Sequence, residues 1–306
     1  MISLLAPGQG SQTPGMLSPW LDLPGAHDRV TLWSKASGLD LVRLGTTATA
    51  EEITDTAVTQ PLVVAAALLA YEELERRGSL PADTIAAGHS VGELAAAAVA
   101  GVLSSDDAVT LAAIRGAEMA KACALEPTGM SAVLGGDEDA VLSRLEELDL
   151  TPANRNAAGQ IVAAGRLESL EQLAANPPEK ARVRALPVAG AFHTRFMAPA
   201  QDAVVAAATD HGSPRDPTRT LLSNSDGAPV TSGADALTKL AAQVTRPVRW
   251  DLCTATLRTA QISAIAELPP AGTLIGIAKR EMRGTPTVAL KSPGDIPALT
   301  ELTEIG

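Results

Sequence analysis

Short apolar runs alternate along this chain with longer stretches of helical periodicity. Ile2 to Ala6, Thr84 to Ala87, Leu221 to Asn224, Ile262 to Glu267 and Thr287 to Leu290 are of the first kind and read as buried strands. Between them the apolar spacing predicts helices over 26–44 and 50–77, the second with Pro61 near its first turn and Arg76-Arg77-Gly78 at its end. Glu93 to Ala100 is Ala-rich and helix-prone, and Ser104 with Asp107 forms a capping box for a helix to about Ala124. Further helices are predicted up to about Asp210, from Asp251, and over Thr273 to Arg283. Strands that alternate with helices in this way predict an α/β architecture with a mostly parallel sheet.

From about Thr128 the texture changes. Met130 to Leu134, Ala153 to Ala157, Gln160 to Ala164 and Arg182 to Val188 read as strands, with Glu138 to Leu148 and Leu167 to Ala175 as helices. The order β-α-β-β-α-β is that of a small ferredoxin-like α+β unit. We expect it to be an insert, residues 128–194, in a larger part built from 1–127 and 195–306.

Composition narrows the function classes. A chain of 306 residues buries a sizeable core. The formal charge of −11 and pI near 4.9 argue against nucleic acid or an anionic membrane as partner. Cys123 and Cys253 supply neither a disulfide framework nor metal-ligand spacing, so no metal is expected. The first ten residues lack a basic start and a long apolar core, and the apolar runs Pro61 to Tyr71 and Leu94 to Leu103 are too short to span a bilayer. The expectation is a globular protein of the reduced cytoplasm.

The chemistry centres on Gly88-His89-Ser90-Val91-Gly92, between an apolar strand and a helix. A serine on such a sharp turn presents its hydroxyl outward, and the helix that follows aims free N–H groups at negative charge developing beside it. Four histidines are available as its base. His89 adjoins Ser90 and diverges from it, His27 lies in a polar helical stretch, and His211 precedes Gly212 as a helix C-terminal cap. Elimination leaves His193, in the Gly/Ala-rich turn at the junction of the two proposed parts. No acidic residue stands out as its orienter, which counts against a plain hydrolase. Arg115 falls in an apolar stripe with Leu111, Ala112 and Met119. Either its stem snorkels to the surface or its guanidinium faces a cavity and awaits a carboxylate. The loop Pro7 to Gln12 lacks the Lys-Ser/Thr of a phosphate-binding loop, while Gln9 offers an amide donor to a small anionic centre.

Together, Gly8-Gln9-Gly10-Ser11-Gln12, the Ser90 turn through Glu93, Arg115-Gly116, Phe192-His193, Gln243 and Pro247-Val248-Arg249-Trp250 resemble a known family. It is malonyl-CoA:acyl-carrier-protein transacylase of bacterial type II fatty-acid synthesis, closest in wording to actinobacterial, mycobacterial-type members. The likeness runs over essentially the whole chain.

The resemblance implies a hydrolase-like α/β domain with a ferredoxin-like insert, and a ping-pong acyl transfer without cofactor. Malonyl-CoA and holo-acyl carrier protein would be the substrates, and the enzyme a monomer. In that reading Ser90 is the nucleophile, His193 its base, and Gln243 orients the histidine through an amide or backbone carbonyl. Gln9 and the Val91 N–H form the oxyanion hole, and Arg115 grips the malonyl carboxylate. Phe192 crowds the acyl α-carbon and favours malonyl over methylmalonyl. Arg195, Arg246 and Arg249 either offer positive charge to an acidic carrier or, as surface arginines more often do, serve solubility. Many members read Glu-Val-Gly-Pro-Gly where this chain has Glu267-Leu268-Pro269-Pro270-Ala271, a departure away from the catalytic set. A trans-acting polyketide acyltransferase would share every residue named, and a serine esterase or thioesterase would share the turn with water as acceptor.

Overall fold

The computed structural model describes residues 1–210 and 214–305. Among them are nine strands: β1 Ile2–Ala6, β2 Ile85–Gly88, β3 Thr128–Gly135, β4 Thr151–Ala157, β5 Gln160–Arg166, β6 Ala181–Ala185, β7 Leu221–Leu222, β8 Ala264–Glu267 and β9 Thr287–Ala289. β7-β2-β1-β8-β9 form a wholly parallel sheet in that order. β1, β2 and β8 are buried at every position, as strands covered by helices on both faces must be. β4-β5-β3-β6 form a separate antiparallel sheet, with helices Glu138–Glu147 and Leu167–Ala175 in its crossovers. This is the ferredoxin-like order expected, around a core that includes Val133, Val141, Leu145, Ile161 and Leu173.

Several elements differ from their sequence expectation. The helix expected over 26–44 is two, Ala26–Ser37 and Leu41–Thr46, because Gly38 takes φ +71° and ends the first, while Asp40 caps the second. The helix expected from residue 50 begins at Thr56, where the Asp55 carboxylate accepts from the Ala57 N–H at 2.8 Å. Pro61 therefore lies inside this helix, past its first turn. Spanning Thr56–Arg77, 22 residues, the helix that contains Pro61 to Tyr71 has by length and composition alone what a membrane crossing needs, but 78% of its apolar window is buried in the protein, as in a core helix. The strand expected at Leu221 to Asn224 stops at Leu222, freeing Asn224 for the site. The His211 expectation lies outside the described residues.

Two glycines set the close approaches on which the site depends. A Cβ on Gly92 would overlap the Ala6 carbonyl oxygen and sit 2.6 Å from that of Pro7, so only glycine lets the loop after β1 rest on the start of helix Gly92–Val99. A Cβ on Gly116 would sit 2.7 Å from the Thr56 carbonyl oxygen, so this glycine lets helix Ser105–Cys123 lie against helix Thr56–Arg77. Gly92→Ala is expected to cost about 1–3 kcal/mol through overpacking, read as a lower urea midpoint; an unchanged midpoint would show that the loop moves freely.

Candidate active site

Adjacent strands β7, β2 and β1 run parallel, with Ala87 beside Leu222 and Gly88 beside Ala6. Their carboxyl ends therefore deliver Asn224, Ser90 and Gln9 to one end of the sheet, the position where open parallel sheets place their ligands. Ser90 has φ +55° and His193 φ +61°, both in the left-handed region that costs a non-glycine residue of order 1–3 kcal/mol. Ser90 Oγ lies 2.7 Å from His193 Nε2, across 103 residues of sequence.

The direction of the proton follows from the partner on the other side of the ring. His193 Nδ1 is 2.8 Å from the Gln243 carbonyl oxygen, which can only accept. Nδ1 therefore carries the hydrogen, and the Nε2 lone pair faces the serine hydroxyl. Gln243 meets the histidine through its backbone carbonyl rather than its side chain. Burial, with the nearby Arg115 cation second, pushes His193 down to about 3, so its imidazole is neutral at physiological pH and its Nε2 lone pair is free to accept a proton.

Arg115 does not snorkel: it is 3% exposed. Its Nη1 donates to Gln60 Oε1 at 2.6 Å and its Nη2 to Gln243 Oε1 at 3.0 Å, with Ser90 Oγ 3.5 Å from Nη2. Burial lowers its pKa to about 10, still well above neutrality. A guanidinium thus lies beside the candidate nucleophile, held by two neutral amides. The carboxylate that offsets it is Glu93, which accepts from Gln243 Nε2 and from the Asn224 N–H and is pushed up to about 7 by burial.

The remaining expected residues fall as follows. Val91 is 1% exposed at the start of helix Gly92–Val99, and among the described residues no acceptor meets its N–H. Gln9 Nε2 donates to Thr56 Oγ1 at 3.2 Å. Phe192 is buried with Met119, Met130, Met197 and Val204, next to His193 in sequence. His89 is engaged elsewhere, its Nε2 2.8 Å from Asn156 Oδ1 and its ring edge-on to Trp250. His27 is exposed on helix Ala26–Ser37. Arg195 is paired with Asp149 and Arg249 with Asp251, while Arg246 is exposed and has no ion pair among the described residues. Glu267 accepts from the N–H groups of Gly272, Leu274 and Ile275, anchoring helix Thr273–Glu281 to β8. Three polar residues of the site were missed: Asn224, Gln60 and, beyond its place in the motif, Glu93.

A strained serine whose hydroxyl meets a neutral imidazole beside a helix N-terminus is the arrangement of a nucleophilic acyl-transfer site on an α/β fold. The chain matches the acyl transferase domain family over residues 4–291, and it belongs to that family. It is 71% identical over 303 residues to the malonyl CoA-acyl carrier protein transacylase of Mycobacterium tuberculosis strain H37Rv, covering 99% of this chain and 100% of that protein. It superposes on a crystal structure of the M. tuberculosis transacylase MCAT with a TM-score of 0.96, at 71% identity over 98% of this chain and 99% of the other. A malonyl-transacylase solved in complex with its type II polyketide acyl-carrier protein matches with a TM-score of 0.90 and 26% identity, over 98% of this chain and 99% of that one.

Proposed function

We propose that the protein transfers a malonyl group from malonyl-CoA to the phosphopantetheine thiol of an acyl carrier protein, by way of a malonyl ester on Ser90. It is an acyltransferase, as its family and its relatives are. The observation that carries the residue-level reading is the convergence of Ser90, His193 and Arg115 from distant parts of the chain, within 3.5 Å of the serine hydroxyl.

His193 Nε2 accepts the Ser90 proton as Oγ attacks the thioester carbonyl. The tetrahedral oxyanion is met by the Val91 N–H, at a helix N-terminus, and by Gln9. Collapse breaks the C–S bond, and the CoA thiolate leaves with the proton from His193. The carrier thiol then gives its proton to His193 and attacks the ester carbonyl; the second tetrahedral intermediate collapses with cleavage of the acyl–Oγ bond, and His193 returns the proton to Ser90 Oγ, restoring the free serine. Every proton and electron pair is handled by Ser90, His193 and the two thiols, so the scheme draws on no metal or redox cofactor. Arg115 pairs with the free malonyl carboxylate and Phe192 closes the space beside the α-carbon. The same reading assigns 1–127 and 195–306 to the catalytic part and 128–194 to the insert, and a monomer in the cytoplasm.

Two results test it. Malonyl-enzyme mixed with holo-carrier is expected to lose its malonyl group much faster than in buffer alone; equal rates would make water the acceptor and the protein an esterase. Because His193 is held below its ordinary value and works as the neutral base, the acid limb of kcat/KM for malonyl-CoA is expected well below pH 6.5. A limb at an ordinary histidine value would mean that the imidazole is hydrated in solution.

A further inference from the structure

Asn224 is fully buried, and its carboxamide grips the nucleophile turn on both sides of His89. Its Oδ1 accepts from the Ser90 N–H at 2.8 Å, and its Nδ2 donates to the Gly88 carbonyl oxygen at 2.7 Å. The same Oδ1 accepts from Gln243 Nε2 at 3.1 Å. Gln243 is in turn the residue whose carbonyl holds His193 Nδ1. Asn224 itself is fixed by its own N–H, donated to Glu93 Oε1 at 3.1 Å. One side chain therefore joins the backbone of the serine to the residue that orients the base.

Ser90 needs such a clamp. Its φ of +55° persists only where surrounding bonds over-determine it. If the turn relaxed, Oγ would leave the position 2.7 Å from His193 Nε2. We infer that Asn224 is a positioning residue of the acyl transfer, holding the strained Ser90 turn in register with His193. It touches no reacting atom. The inference rests on the reading of Ser90 as nucleophile.

The clamp requires an acceptor toward residue 90 and a donor toward residue 88 at once, on two separate atoms, which the neutral carboxamide supplies at any pH. Aspartate keeps the acceptor, but its second oxygen faces the Gly88 carbonyl and repels it unless protonated. The other charged or titratable groups around this point are Glu93 on the Asn224 N–H, Arg115 through Gln243, His89 and His193 of the site turns, and Cys253, whose Sγ lies 3.8 Å from Asn224 Nδ2. Burial beside Glu93 raises a carboxyl group placed here. Asn224→Asp is therefore a variant that low pH should rescue.

The test measures single-turnover acylation by malonyl-CoA, with intact-mass readout, for wild type, Asn224→Ala and Asn224→Asp across pH 5.5–8. Asn224→Ala is expected to slow acylation by roughly 10²-fold with KM for malonyl-CoA little changed, the cost of a nucleophile displaced by about 1 Å. Asn224→Asp is expected to gain rate relative to wild type as pH falls, the wild-type profile carrying the titration of Glu93 that both proteins share. Wild-type acylation in Asn224→Ala, or an Asp variant whose pH profile parallels wild type, overturns the inference. If Asn224→Ala fails to fold, the pH profile of Asn224→Asp decides alone. Should wild type itself take no malonyl on Ser90, it is the site reading that fails, a result distinct from either variant outcome.

Discussion

His193→Ala is expected to slow acylation of Ser90 by roughly 10⁴–10⁶-fold, the loss seen when a hydroxyl nucleophile is deprived of its base. The size follows from geometry: His193 Nε2, 2.7 Å from Ser90 Oγ, is the basic atom whose lone pair faces the hydroxyl. His89, the imidazole on the nucleophile turn itself, is committed to Asn156 and cannot substitute. Because the change removes a base and leaves the acyl-binding groups in place, the loss should fall on kcat, with binding of malonyl-CoA nearly intact. Stopped-time acylation followed by intact mass provides the check. A variant that acylates within tenfold of wild type would place the base elsewhere.

The second large effect concerns substrate choice. Arg115→Ala is expected to reduce kcat/KM for malonyl-CoA by a hundredfold or more while sparing or raising acetyl transfer. Leaving one member of a buried charge pair without its partner costs roughly 3–5 kcal/mol. In the proposed reading a bound malonyl group would pair with the guanidinium, whereas acetyl would leave it to Gln60, Gln243 and the more distant Glu93. Replacing the arginine removes that penalty for acetyl and the attraction for malonyl together. In the proposed reading the same ion pair would turn the acyl group away from water, so malonyl-enzyme should hydrolyse faster in the variant. Competition between malonyl- and acetyl-CoA reads both effects, and an unchanged acyl preference would remove Arg115 from substrate recognition.

What could be seen in the sequence was local. The serine turn sits between an apolar strand and an Ala-rich helix, all within residues 84–100, and Ser104 announces its own cap on Asp107. The β-α-β-β-α-β order is likewise a succession of short periodic runs. His193 stands out in the sequence because the chain has only four histidines, and Arg115 by its place in an apolar stripe, which does not say whether its head faces solvent or a cleft. Burial settled that direction, and burial belongs to the packed fold. Asn224 follows a strand of two residues with no motif around it, and its partner Ser90 lies 134 residues away. Glu93 meets Gln243 across 150 residues. Such polar partnerships depend on which strand ends are neighbours, information that exists only once β7, β2 and β1 are side by side. Gln243 shows the same limit at finer scale, since a backbone carbonyl has no residue-type signature. The break of the early helix at Gly38 was legible in kind, as a glycine after a polar turn, yet periodicity on both sides masked it.

The most direct measurement is intact mass of the protein after brief exposure to malonyl-CoA, then after addition of holo-acyl carrier protein, with peptide mapping of the modified form. Convergence of Ser90, His193 and Arg115 on one acyl group predicts one added malonyl, located on Ser90 and absent from Ser90→Ala, which passes to the carrier when it is added. A malonyl group on another residue, or none at all while transfer proceeds, would contradict it.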